Sequence, residues 1–172
     1  MDLSQALAQA IEHERDVRDH YAKASRATED PHGKRIFAIL AREEQGHLEH
    51  LESRLAEWQS TGAVSPAEVP TLLPPPSRIA EEALKAAAAP RPATPPGSGF
   101  PELDFLKEAL ELERKTSAFY QQMVATLEPR HRPLFDRFLD IEDGHVTIVQ
   151  AEIDALVGHG HWFDFMEFNL EL

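Results

Sequence analysis

Apolar residues spaced by threes and fours define four long helices. Leu3, Leu7, Ala10, Glu14, Val17, Tyr21 and Ala24 share one face of a helix predicted from about Ser4 to Arg26. Asp30 followed by Pro31 supplies a cap and a proline at the first helical position, which opens a second helix reaching roughly Gln59. Its stripe is Phe37, Leu40, Glu44, His47, Leu51, Leu55 and Trp58. A third helix starts near Pro101 or Glu102 and aligns Leu103, Leu106, Leu110, Glu113, Ser117, Tyr120, Val124 and Leu127. Glu128-Pro129 ends it and opens a fourth, with Phe135, Phe138, Glu142, His145, Val149, Ile153 and Leu156 in line. The run from Gly158 to His161 stops that helix.

The stripes repeat. AIEHER at residues 10–15 returns as ALELER at residues 109–114, and Tyr21 and Tyr120 each lie seven residues beyond Glu14 and Glu113. Phe37 and Phe135 each precede a Glu-x-x-His by seven residues, so the chain reads as two copies of one helix pair. The pairs cover residues 3–60 and 102–158 of a single all-α domain spanning 1–172. Between them, residues 61–101 form a Pro/Ala-rich linker in which Ser77 to Ala89 has the composition of a short helix stopped by Pro90. The remaining residues, 159–172, are a tail with four aromatics between Trp162 and Phe168, too apolar to stay free and expected to pack on the bundle or on a second subunit.

Composition narrows the chemistry. A net charge of -13 and the lack of a basic patch exclude nucleic acid and an anionic membrane surface as partners. The chain has no cysteine, which removes thiolate zinc sites, iron-sulfur clusters and thiol catalysis. Neither a secretory signal nor an apolar stretch of membrane-spanning length is visible, so a cytoplasmic location is expected.

Glu-x-x-His occurs four times where about one is expected by chance. Glu29/His32 and Glu128/His131 each contain a proline at a helix boundary and cannot present both side chains from an interior turn. Glu44/His47 and Glu142/His145 lie inside apolar stripes, where positions i and i+3 share a face and can hold one ion together. Adding Glu14 and Glu113 gives four buried carboxylates, each costing several kcal/mol without a partner. Two divalent cations balance four carboxylates, and sulfur-free ligation by carboxylate and imidazole suits iron or manganese, with zinc also accommodated. Glu12, Glu43, Glu111 and Asp143 are one or two residues off these faces and are expected in solvent. The same is expected of His13, His20, His32, His50, His131, His159 and His161. Tyr21 and Tyr120 either pack in the core with satisfied hydroxyls or bond a ligand carboxylate from another helix, since two turns separate each from its own glutamate.

AIEHERDVRDHY (residues 10–21) and LAREEQGH (residues 40–47) resemble the ferritin-like superfamily of di-iron carboxylate proteins, in particular its rubrerythrin-like branch. The resemblance covers nearly the whole chain apart from linker and tail. It implies a ferritin-like four-helix bundle with a long crossover between helices two and three. It also implies two iron ions per bundle, with Glu14 and Glu113 as terminal ligands, Glu44 and Glu142 bridging, and His47 and His145 one on each metal. The activity implied is reduction of hydrogen peroxide or dioxygen with oxidation of ferrous iron; the alternative is a non-catalytic iron-binding or iron-storage protein. Two departures stand out. The cysteine-ligated rubredoxin domain of rubrerythrins is missing, which calls for an external electron donor, and Thr116 occupies the place of an extra peroxidase-site glutamate. The apolar tail and linker further suggest a homodimer, with exchange of helix pairs sterically feasible through the linker.

Overall fold

The computed structural model describes residues 1–65, 67–90 and 99–166. They form α1 (Leu3–Ala27), α2 (Pro31–Thr61), α3 (Pro76–Ala88), α4 (Glu102–Thr126) and α5 (Arg132–His159). No strand occurs among the described residues, in keeping with an all-α chain. No helix among them is long and apolar enough to cross a membrane.

Local chemistry sets the helix ends. Asp2 accepts from the Gln5 amide while the Gln5 side chain accepts from the Asp2 amide, so two otherwise unpaired donors at the start of α1 are satisfied. Asp30 caps α2 through the Gly33 amide, with Pro31 in the first turn. Gly62 and Gly160 close α2 and α5 in the left-handed region, at φ 69° and 76°, where a Cβ is penalised. The start of α5 differs from expectation. Glu128-Pro129-Arg130-His131 is a turn closed by the His131 amide on the Glu128 carbonyl, and the proline in the first turn of α5 is Pro133. Pro129 suits the second position of such a turn as well as it suits a helix start.

α1 packs on α2 and α4 on α5, while α1 and α4 join the two pairs and α3 lies along α5. Two apolar clusters result. One takes Val17 and Tyr21 from α1, Phe37 and Leu40 from α2, Leu106 and Leu110 from α4, and Ile148 and Val149 from α5. The other takes Leu7 and Ile11, Leu48 and Leu51, Phe119 and Met123, and Phe135 and Phe138 from the same four helices. Burying each such side chain contributes roughly 1.5–3 kcal/mol. On each of these four helices the stretch between the two sets carries fully buried polar residues: Glu14, Glu44 with His47, Glu113, and Glu142 with His145. The apolar ends of the bundle thus seal a polar midsection.

The linker does more than connect. Val69 and Ile79 are buried, Pro70 lies against α2 at Gly46, and Pro76 lies against α5 at Gly144. The tail folds back: Phe163 and Phe165 are buried, Trp162 packs edge-on to Phe37 and rests against Gly33, and Asp164 pairs with Arg35. A Cβ at Gly33 would collide with the Trp162 ring, so a side chain there would displace the tail. The expected tail residues 167–172 and linker residues 66 and 91–98 lie outside the described residues.

Candidate metal centre

Glu14, Glu44, His47, Glu113, Glu142 and His145 all have 0% exposure and converge in the polar midsection. Ligand atoms of Glu44, His47, Glu142 and His145 lie within 4.8 Å of one another, close enough to hold a metal ion. The two imidazoles stack with centroids 5.4 Å apart and planes 10° from parallel. Both turn Nδ1 toward the carboxylates. His47 Nδ1 is 3.3 Å from Glu44 Oε2 and 3.5 Å from Glu14 Oε2. His145 Nδ1 is 2.9 Å from Glu44 Oε1 and 3.5 Å from Glu113 Oε2. Glu142 Oε1 lies 4.0 Å from the first nitrogen and 3.5 Å from the second. Glu14 and Glu113 therefore each face one histidine, whereas Glu44 and Glu142 face both.

The tyrosines cross between repeats. Tyr21 donates its hydroxyl to Glu113 Oε1, and Tyr120 donates to Glu14 Oε1. Each glutamate is left with Oε2 directed at a histidine and without a hydrogen-bond partner. Glu44 Oε1, both oxygens of Glu142 and both ring nitrogens of His145 are likewise buried without hydrogen bonds. Buried polar atoms are rarely left this way, and so many converging in one pocket is the arrangement a cation completes. The donor set fits iron or manganese: oxygen and imidazole nitrogen, no sulfur.

Without metal the cluster binds protons instead. Burial opposes charge on His47, but Glu14, Glu43 and Glu44 outweigh it and raise the imidazole well above its ordinary value. His145 is raised in the same way by Glu44, Glu142 and Glu113. Burial and the Glu14 charge push Glu142 well up, and burial carries Glu44 to about 7, with His145 pulling against it. Glu14 is lowered despite burial, because His47 and Tyr120 favour its ionised form. Burial followed by the Glu113 charge raises the Tyr21 hydroxyl, and burial followed by the Glu14 charge raises that of Tyr120, so both stay protonated donors.

Several residues depart from the sequence expectation. Glu43, expected in solvent, is 2% exposed; Thr71 donates its hydroxyl to Oε1 at 2.5 Å and the Leu72 amide donates to Oε2 at 2.6 Å. Its Oε1 lies 3.4 Å from His47 Nε2, and the i, i+4 spacing to His47 was the signal available. Burial pushes Glu43 up, but His145, His47 and Thr71 hold it below the usual carboxylate range. His20, also expected outside, buries its ring and places Nε2 2.8 Å from the Phe105 carbonyl. His13 and His50 are half-buried against Phe119 and Phe138. Glu12, Glu111 and Asp143 are exposed, and the Thr116 hydroxyl donates to the Leu112 carbonyl of its own helix.

Glu152 departs too: it is fully buried where Ile153 was expected on the stripe. Its Oε2 accepts from the Phe163 amide at 2.8 Å, which ties the tail to α5, while Oε1 has no hydrogen bond. Burial raises this carboxyl well above the carboxylate range, the Phe163 amide opposes, and Asp164 adds to the rise. An acid raised in the fold costs stability above its unfolded pKa, near 4.5, and the cost grows until pH reaches the folded value. Glu152→Gln keeps an acceptor for Phe163 and should raise the unfolding midpoint by roughly 3–8 °C at pH 8 and hardly at pH 4.5. Thermal melts across that range check this; parallel pH profiles for the two proteins would rule it out.

Comparison with protein families, with curated proteins and with solved structures returns no match to this chain. Its chemistry is therefore read from the centre itself.

Proposed function

We propose that the chain is a di-iron carboxylate protein of the ferritin-like, rubrerythrin-like kind, an oxidoreductase that reduces hydrogen peroxide or dioxygen while oxidising ferrous iron. The observation that carries this reading is the pairing in the core: one glutamate facing each histidine, two glutamates facing both, and unpartnered oxygens on all four. Glu14 with His47 would hold one ion, Glu113 with His145 the other, and Glu44 and Glu142 would bridge them. Four carboxylates neutralise two divalent ions and leave both histidines neutral.

A bound ferrous pair supplies the two electrons that an oxidant takes up. The protein's part is positioning and exclusion of water. Tyr21 and Tyr120 fix one oxygen of Glu113 and of Glu14, so each offers a single oriented oxygen to its ion. Phe37 and Tyr21 close one end of the chamber and Phe135 and Phe138 the other, keeping the dielectric low around the charges. Glu44 and Glu142, bonded to no fixed donor on the oxygens named above, are the carboxylates free to shift as charge changes. With no cysteine in the chain, re-reduction falls to an external electron donor.

Anaerobic loading with ferrous iron should retain about two ions per chain, and hydrogen peroxide or dioxygen should then produce ferric absorption in the near ultraviolet. Two ions retained without oxidation would mean non-catalytic iron binding. Hundreds of irons per assembly would mean storage, and none retained would end the metal reading.

A further inference from the structure

The connection between the helix pairs passes over the buried Glu/His cluster. Residues 70–76 pass from α2 to α5, with Pro70 against Gly46 and Pro76 against Gly144. Each glycine directly precedes one of the two histidines, so the segment runs over both histidine-bearing turns. A Cβ at Gly46 would stand 3.8 Å from Pro70, and one at Gly144 would stand 3.4 Å from Pro76.

Glu43 joins this segment to the centre. Its Oε1 takes the Thr71 hydroxyl and its Oε2 the Leu72 amide. The oxygen that accepts from Thr71, Oε1, also faces the backs of the imidazoles, 3.4 Å from His47 Nε2 and 3.9 Å from His145 Nε2. Both Nε2 atoms are buried and have no hydrogen bond, while both Nδ1 atoms face the four carboxylates. The arrangement is single, not duplicated: the position of the second repeat that corresponds to Glu43 is Ile141. One carboxylate thus serves two rings, and its remaining bonds all come from the connecting segment.

We propose that the Thr71–Leu72 stretch is a clamp on the metal centre, acting through Glu43, so that metal occupancy and order of the connecting segment reinforce one another. This rests on the two-metal reading above. An ion on Nδ1 makes Nε2–H a stronger donor toward Glu43. Glu43 becomes more firmly placed and so holds Thr71 and Leu72 more tightly. The coupling is reciprocal by linkage: whatever factor metal adds to the order of the segment, loss of the segment's grip removes from metal affinity.

The test uses the full chain and zinc ions as a redox-inert probe, with amide hydrogen exchange at Leu72 and zinc affinity as readouts. Zinc should slow exchange at Leu72 in the wild type. Thr71→Val, an exposed position that leaves all six proposed ligands intact, should weaken zinc binding by about tenfold and shrink the slowing at Leu72 by the same factor. Glu43→Gln, nearly isosteric, should weaken it further and abolish the effect at Leu72. If the wild type takes up two zinc ions and Thr71→Val binds them equally well, or Leu72 exchanges at one rate with and without zinc, the clamp is wrong and the metal reading stands. If the wild type takes up no zinc, both fall.

Discussion

Stripping the metal from the loaded protein with a chelator is expected to lower the midpoint of thermal unfolding by roughly 15–30 °C at pH 7.5. An ion held at a thousand times its dissociation constant stabilises the fold by about 4 kcal/mol, and two do so twice. A domain of this size moves roughly 2–4 °C for each kcal/mol. The effect should depend on pH in a defined direction. His47 and His145 are raised by the carboxylates around them, so their contribution to the metal-free fold is complete below pH 6.5 and is lost as pH rises through their folded values. Glu44 and Glu142 are raised by burial, so each costs stability above about pH 4.5, in the case of Glu44 increasingly up to about 7. Glu14 and Glu43, held low, contribute evenly across that window. The metal-free protein should therefore weaken between pH 5 and 8, while the loaded protein gains affinity as protons cease to compete for the ligands. Calorimetry of both forms at pH 5.5, 6.5 and 7.5 should show the gap widening; a gap that closes with rising pH, or one of only a degree or two throughout, contradicts the assignment.

The second large effect concerns Glu142, whose two oxygens are both buried without hydrogen bonds. Glu142→Gln removes a carboxyl that burial disfavours in its charged form and leaves the volume nearly unchanged. In the metal-free protein it should raise the unfolding midpoint by about 5 °C at pH 7.5, since Glu142, raised by burial, must take up a proton on folding and glutamine need not. In the presence of metal the sign reverses. Loss of a bridging ligand should weaken binding by more than about 100-fold, the upper range for mere outer partners, and should abolish ferrous oxidation. Glu12→Gln, on the exposed face of α1, should alter neither property. Opposite signs with and without metal distinguish a ligand from a structural glutamate. Metal titration and melts of the chelated protein read both, and a variant that is destabilised in both states would remove Glu142 from the site.

Much of the site was legible because helical period is a local property. Leu3, Leu7, Ala10, Glu14, Val17, Tyr21 and Ala24 form one stripe in the sequence, and all seven are buried. Proline placement separated the Glu44 and Glu142 motifs from their lookalikes, and the structure puts His32 and His131 away from the core cluster that contains His47 and His145. Periodicity is ambiguous where a residue sits at the margin of a stripe. From Val149, steps of three and four reach Glu152 and Ile153, and a preference for the apolar choice selected Ile153; the tail's Phe163 amide decided for Glu152. For Glu43 the i, i+4 spacing to His47 is the one signal within α2, and the covering of that edge by Thr71 and Leu72 comes from outside the helix. His20 was misjudged for the same reason, its partner being a carbonyl on α4.

The sequence by itself determined that the chain is helical and which residues of the long helices point inward, because spacing by threes and fours fixes a side chain's direction on its own helix. Tertiary structure decided what each inward residue meets. The crossing of Tyr21 to Glu113 and Tyr120 to Glu14, the reach of Glu44 to His145, and the bonding of Glu43 by Thr71 and Leu72 all join segments 28 to 106 residues apart. Those partners follow from how helices and linker pack against one another, and no local period encodes that packing.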